Sequence, residues 1–318
     1  MPFEFLEQLL KDALVLVLAV VLDRVLPEPP HAIHPVVWMG RLIAAMERIA
    51  PRHALASFFY GCGMVAIVVG FAIVAALVCM AVLASIHPIA CVLGAAVVLR
   101  SAFTAKGLSS AALHTERMLA DHRLDLAREG LRSLVSRDAT SLSRPLVAAA
   151  AIESVAENSN DSFVGSWVAF AIFGVPGAIA YRAINTMDSM IGYRGRYEYL
   201  GKAAARLDDL ANLIPARLSA GLLLVGGLLA GCPIRCGWRT MLKDRGRTSS
   251  PNAGLTMSAM AGLLGVRLEK PGHYCLGEGF RDPDPDDIRR AVSILNRTSL
   301  LAVVVVLGLL AARHAISG

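Results

Sequence analysis

The stretch Glu153-Ser-Val-Ala-Glu157-Asn158-Ser-Asn-Asp161 places three carboxylates at i, i+4 and i+8. On a helix those positions share one face. Like charges at that spacing repel by about 0.2–0.5 kcal/mol per pair in water. An uncharged block starts at Ser162, so the local dielectric is low and the repulsion larger. A divalent cation removes the conflict. Hard oxygen ligands suit Mg2+, which takes one or two carboxylates and completes its shell with water and substrate phosphates. Glu153, Glu157 and Asp161 are therefore the expected metal ligands, with Asn158 beside them. The bland alternative is an acidic helix end ahead of a following helix.

Three further clusters carry more polarity than a membrane border needs. Arg182, Asn185 and Asp188 precede Tyr193, Arg194, Arg196, Tyr197 and Tyr199. An aromatic belt with anchoring cations explains the Tyr and Arg, but not Asn185 and Asp188, which share a helix face. The next cluster is Arg206, Asp208, Asp209, Asn212 and Arg217. The last holds Arg245, Arg247, Thr248, Ser249, Ser250, Pro251, Asn252 and Gly254. Its cations, hydroxyls and Gly/Pro backbone suit a phosphate or carboxylate, although an ordinary basic loop has the same look. No Walker phosphate loop, G-x-G-x-x-G or H-E-x-x-H is present. Nucleic-acid binding has no support beyond scattered Arg. Cys232 and Cys236 are four apart and could pair or bind metal, but no second Cys/His pair at zinc spacing accompanies them.

The elements that must position these groups are apolar. Of 318 residues 55% are hydrophobic and 18% charged, the mean hydropathy is +0.56 and the net charge +6. A disordered, collagen-like or disulfide-scaffold chain is excluded by that balance and by only 6 Cys. No Asp, Glu, Lys or Arg occurs from Ala54 to Leu99. At roughly 20 apolar residues per span, that stretch holds two helices, with the turn at Ser85-Ile86-His87-Pro88 because Pro88 disfavours helix at His87. The chain reads as an all-α polytopic membrane protein of four to six hydrophobic helices, forming one domain over 1–318. The hydrophobic segments are 5–26, 54–84, 88–105, 162–181, 213–234 and 298–314. The polar segments are 106–161, 182–212 and 235–297, and 106–144 has helical periodicity. Acidic Glu4 and Glu7, with Asp23-Arg24 where small residues should stand, mark the first segment as a retained helix rather than a leader. Were 162–181 to span fully, its flanking clusters would face opposite compartments. Gly174-Val175-Pro176-Gly177 lies within it, and such a breaker predicts a broken or re-entrant segment.

Taken together, the four motifs resemble the CobD/CbiB family of cobalamin biosynthesis. The matching stretches are Glu153 to Asp161, Tyr181 to Arg194, Ala203 to Asp209 with Asn212 to Arg217, and Ser249 to Gly254. An N-terminal match adds Asp23, His34-Pro35 and Gly40-Arg41. Two departures are Pro27-Glu28-Pro29, where the family usually has Gly-Asp-Pro, and Ser162, where a Gly often follows the Asp. The resemblance implies an adenosylcobinamide-phosphate synthase. Such an enzyme forms an amide between adenosylcobyric acid and (R)-1-amino-2-propanol or its O-phosphate, with Mg2+ and with ATP as co-substrate. It implies Glu153, Glu157, Asp188, Asp208 and Asp209 as catalytic groups, with Asp208 or Asp209 taking the ammonium proton. Substrate or phosphate would be met by Asn158, Arg182, Asn185, Tyr193, Arg194, Asn212, Arg217, Arg247, Ser249, Ser250, Asn252, His34 and Arg41. The expected setting is the bacterial inner membrane, multi-pass, with the site toward the cytoplasm. Expected partners are the lipid bilayer and either a second copy or other membrane enzymes of the corrinoid pathway. Two alternatives remain at this point: an AmpE-like sensor without ligase activity, and a small-molecule transporter, which predicts an inverted repeat that the sequence lacks.

Overall fold

The computed structural model describes residues 2–30, 32, 34–135, 138–193 and 195–317. In chain order the helices are α1 (Pro2–Val25), α2 (Pro35–Arg48), α3 (Ala54–Ile86), α4 (Pro88–Ser101), α5 (Ala105–Ala120), α6 (Leu124–Leu131) and α7 (Arg144–Ser159). A π-helical turn, Asn160–Val164, leads into α8 (Gly165–Ile191). Then come α9 (Lys202–Ala211), α10 (Leu213–Leu229), α11 (Ile234–Asp244), α12 (Ala253–Leu264), two short strands and α13 (Pro285–Ser317). The strands β1 (Leu268–Lys270) and β2 (Tyr274–Leu276) pair antiparallel, Leu268 opposite Leu276. This hairpin, too short to show as alternation, is the sheet found among the described residues. Four helical stretches are long and apolar enough to cross a membrane: Ala54–Ile86, Pro88–Ala120, Arg144–Ile191 and Pro285–Ile316. The chain is thus all-α with multi-pass membrane character.

Proline placement sets several boundaries. Pro35 and Pro88 stand in the first turns of α2 and α4, and each is preceded by a His whose Nδ1 accepts a backbone N–H two residues on. His87 closes α3 and opens α4 in one extended residue, as the residue before a proline must.

The chain folds as two compact units, each discontinuous in sequence: residues 1–104, 165–211 and 303–318, and residues 105–164 and 212–302. In the first unit α3 is inverted relative to a soluble helix. Its buried positions are Ser57, Gly61, Met64, Val68, Ala72 and Ala76, while Phe59, Ile67, Phe71, Val74 and Val82 are exposed. Small residues inside and large apolar ones outside is the pattern of a helix solvated by lipid. At Gly61 a Cβ would lie 2.1 Å from the Leu200 carbonyl oxygen.

Helix α8 is folded back on itself. Gly174 has φ 70° and ψ −164°, a conformation open to glycine, and Pro176 lacks the N–H that would continue the ladder. A Cβ on Gly177 would sit 2.8 Å from the Ala169 carbonyl oxygen, and one on Gly165 would sit 2.1 Å from the Tyr181 hydroxyl. In a straight helix those pairs would stand about 12 and 24 Å apart at 1.5 Å per residue. The breaker read from the sequence is therefore the tip of a helical hairpin whose arms are 165–173 and 175–191. Arg313 secures the tip: its Nη1 donates to the Ala171 carbonyl at 3.0 Å, and its Nη2 pairs with Asp12.

The second unit is built around α7 and α12. Burial is unbroken from Val147 to Ala156 and from Gly254 to Leu264, so both helices are core elements on every face. Gly262 lets α12 approach α11 closely; a Cβ there would lie 2.7 Å from the Cys236 carbonyl oxygen. All six cysteines are free thiols.

Candidate functional site

In the second unit the acidic motif ends α7 and enters the π turn. Glu153 is buried, whereas Glu157, Asn158 and Asp161 are half-buried. Asn158 is held by its own helix: its Nδ2 donates to the Ser154 carbonyl at 3.0 Å and to Ser154 Oγ at 3.1 Å. Ser154 Oγ in turn donates to the Leu134 carbonyl at 2.8 Å. Asp161 stands at the start of the π turn and has a polar neighbour there. Asn160 Nδ2 donates to Asp161 Oδ1 at 2.8 Å and to Asn212 Oδ1 at 2.7 Å, and the Ser159 and Ser219 hydroxyls meet at 2.8 Å. Among the described residues no three His, Cys, Asp or Glu side chains stand close enough to hold one metal ion. Glu153, Glu157 and Asp161 therefore form no three-carboxylate cage. One or two carboxylates with water and phosphate oxygens remain a fitting shell for Mg2+.

The basic loop of this unit is committed to the fold. Arg247 pairs through Nε with the buried Asp244 at 3.1 Å. Its Nη1 donates to the Cys275 carbonyl at 2.9 Å and to Glu278 at 3.1 Å. The Glu278 hydrogen bond and the Asp244 charge hold its guanidinium above its ordinary range. Ser250 Oγ accepts the Asn252 N–H at 3.3 Å and the Ala253 N–H at 3.5 Å, capping α12, while Ser249 is exposed and Asn252 buried. Arg217 is exposed and donates to the Leu213 carbonyl of its own helix. Arg217 and Arg247, expected from the sequence to meet substrate, thus each have a protein partner in this structure.

In the first unit, Arg182, Asn185 and Asp188 follow one another down the second arm of α8, all half-buried. Arg182 Nη1 lies 3.4 Å from Asn185 Oδ1. The chain then turns tightly, the Gly192 N–H donating to the Asp188 carbonyl at 2.7 Å. Tyr193 is exposed, and Arg194 lies outside the described residues. Glu47 of α2 accepts from Arg196 at 3.0 Å and from the Tyr197 hydroxyl at 2.7 Å, which raises the Tyr197 phenol above its usual range. On α9, Asp208 is buried and Asp209 half-buried.

This unit also contains a cleft of about 210 Å3 that the sequence did not reveal. Its lining includes Asp23 from α1, Glu28 and His34 from the turn before α2, Arg100 and Thr104 from the end of α4, and Arg182 from α8. Arg100 is buried and donates through Nη2 to the Leu26 and Pro27 carbonyls. Thr104 Oγ1 donates to Glu28 Oε1 at 3.0 Å. His34 accepts the Val36 N–H on Nδ1, so its neutral form carries the proton on Nε2. Arg41 is exposed and does not line the cleft. The signal for this site is Arg100, a cation ending an uncharged block, because an ionisable group at membrane depth is costly unless it has a task.

The model of the family described as CobD/Cbib protein matches residues 16–295. The cobalamin biosynthesis protein CobD of Dehalococcoides mccartyi is 43% identical over 298 residues, which is 93% of this chain and 97% of that one. The probable cobalamin biosynthesis protein CobD of Archaeoglobus fulgidus is 40% identical over 294 residues, covering 92% and 93%. CobD of Photorhabdus laumondii is 36% identical over 280 residues, covering 87% and 88%. No solved structure matches. With the four polar motifs in place and similarity running nearly end to end, this chain belongs to the CobD/CbiB family.

Proposed function

We propose that this chain is an adenosylcobinamide-phosphate synthase, joining the propionate carboxylate of adenosylcobyric acid to (R)-1-amino-2-propanol or its O-phosphate. The reading is carried by similarity to relatives named for cobalamin biosynthesis over more than nine-tenths of both chains. A carboxylate does not condense with an amine in water unaided. The γ-phosphoryl group of ATP passes to the carboxylate, giving ADP and an acyl phosphate. The neutral amine then adds to the acyl carbon, the C–N bond forms and inorganic phosphate leaves. Mg2+, when bound with ATP, supplies charge neutralisation on the phosphates. Glu153, Glu157 or Asp161 would hold it, no more than two together.

The other groups act on the organic substrates. Arg182, and Arg194 with it, meets phosphate or corrinoid carboxylate by charge-assisted hydrogen bonds. Asn185 and Asp188 orient the amine, and Asp208 or Asp209 accepts the proton that the ammonium must lose before it attacks. Arg217 and Arg247 are left out of these roles because their guanidinium groups serve the fold. ATP and a large corrinoid, polar at its rim, place the reaction toward the cytoplasm at the cell membrane. The test is the purified protein in detergent with adenosylcobyric acid, each candidate amine and Mg-ATP, followed by mass analysis of the corrinoid. A corrinoid heavier by one amine less one water supports the reading. Unchanged corrinoid with every amine, from folded protein, sinks it.

A further inference from the structure

We propose that the exposed face of α11, in the second unit, is a docking surface for anionic phospholipid headgroups and ties the end of α10 to a negatively charged leaflet. The helix has two unlike faces. Gly237, Thr240, Met241 and Asp244 are buried, and the contact they make is close: a Cβ on Gly237 would lie 2.8 Å from the side chains of Leu224 in α10 and Leu263 in α12. Seating that face fixes the direction of the other. It carries Arg235, Trp238, Arg239, Leu242 and Lys243, all exposed, at the i, i+3, i+4, i+7 and i+8 spacing of a single helical stripe.

Charge, composition and position select the occupant. Among the described residues Arg235, Arg239 and Lys243 make no hydrogen bond or ion pair, whereas Arg247, Arg267, Arg281 and Arg289 of the same unit each meet a carboxylate. The one carboxylate of α11, Asp244, is buried and taken by Arg247 at 3.1 Å and by the Gly277 N–H at 2.8 Å. The stripe is therefore cationic with no acid on it. Trp238 and Leu242 stand among the cations, 51% and 47% exposed. A basic stripe interleaved with Trp and Leu suits a helix at headgroup depth, its apolar groups reaching toward acyl chains and its cations toward phosphate. Position agrees. Val225, Leu228 and Leu229 are exposed at the end of α10, Gly231 turns the chain at φ 78°, and α11 starts at Ile234. The stripe thus begins where an outward apolar surface stops. Ile234, Arg235, Trp238 and Arg239 line a depression of about 340 Å3, large enough for a glycerophosphate headgroup held by charge-assisted hydrogen bonds.

The test places the full chain, one copy per nanodisc, in phosphatidylcholine carrying a minor fraction of brominated phosphatidylglycerol or the same fraction of brominated phosphatidylcholine. Quenching of Trp238 is read as the difference between wild type and Trp238→Phe, because Trp38 and Trp167 emit in both. Brominated phosphatidylglycerol should quench that share about fivefold more efficiently, the preference that one cation gives at an anionic surface. The triple variant Arg235→Gln/Arg239→Gln/Lys243→Gln, altered only at exposed positions, should lower the ratio to about one. Should that variant fail to fold, wild type in about 0.5 M NaCl should show the same collapse by screening. Equal quenching by the two lipids in wild type overturns the proposal, as does a preference that survives both the triple variant and salt. Relief of the quenching by millimolar glycerol phosphate would make this a site for a soluble anion and also overturn it. So would quenching that vanishes in discs holding two chains, since a second copy would then cover the stripe.

Discussion

Replacing Arg313 with Met keeps the length and bulk of the side chain and removes its donors. Three partners are affected, one of them His314, whose Nε2 lies 2.9 Å from the Arg313 Nη2. Asp12 loses a guanidinium whose side chain is 27% exposed against its own 26%, and the Ala171 carbonyl at the hairpin tip loses a donor at 3.0 Å. Removing one member of a fully buried pair costs about 3–5 kcal/mol. About a quarter of each side chain is left uncovered by protein here, and His314 Nε2 remains 3.0 Å from Asp12, so about 2 kcal/mol is the better figure. The carbonyl adds about 1 kcal/mol, giving about 3 kcal/mol for the single variant. In Asp12→Asn/Arg313→Met no carboxylate is stranded, so the pair should recover most of the first part and sit about 1 kcal/mol below wild type. Equilibrium unfolding in mixed micelles, followed by tryptophan fluorescence, measures both. A single-variant loss under about 0.5 kcal/mol, or a double variant no more stable than the single, would refute the clamp.

Other expectations follow from the same geometry. Gly177→Val drives a side chain into the Ala169 carbonyl and should cost about 1–3 kcal/mol, whereas Gly63→Val on α3, with nothing within 4 Å, should leave unfolding in micelles unchanged. Glu157→Gln should fold as wild type yet lower kcat and raise the Mg2+ concentration needed for half-maximal activity; full activity at limiting Mg2+ would remove its ligand role. Cys275 has its thiol pushed up, first by burial and then by the Glu269 charge. Since the thiolate is the nucleophile, maleimide labelling at that site should be slow at neutral pH and accelerate only above the ordinary thiol range. Fast labelling at pH 7 would contradict it.

The apolar blocks were legible because span length and charge exclusion are properties of composition. Residues 54–84 and 88–105 nearly coincide with α3 and α4, and the His87-Pro88 turn falls where proline sterics put it. The hairpin tip was legible for the same local reason. The first half of α13 was not. It starts at Pro285 rather than near 298, because a helix that leaves an apolar environment keeps its backbone ladder while its side chains turn polar. The π turn at Asn160–Val164 was also hidden, since nothing in residue type marks a widened turn. Residue type equally fails to say whether a cation is spoken for. Arg247 in a loop of phosphate-binding chemistry spends itself on Asp244 and Glu278, while Arg100, read as the edge of a block, lines a cleft.

The clamp at the hairpin tip also sets a timetable for biogenesis. Ala171 and Arg313 are 142 positions apart, and Asp12 and Arg313 are 301 apart. At about 5–20 residues per second of translation, the tip waits roughly 7–30 s for its cap after it leaves the ribosome. During that interval Asp12 and the opened carbonyl ladder need water or an insertion factor as a stand-in. Truncation before residue 313 would leave the newborn chain permanently in that unsealed condition.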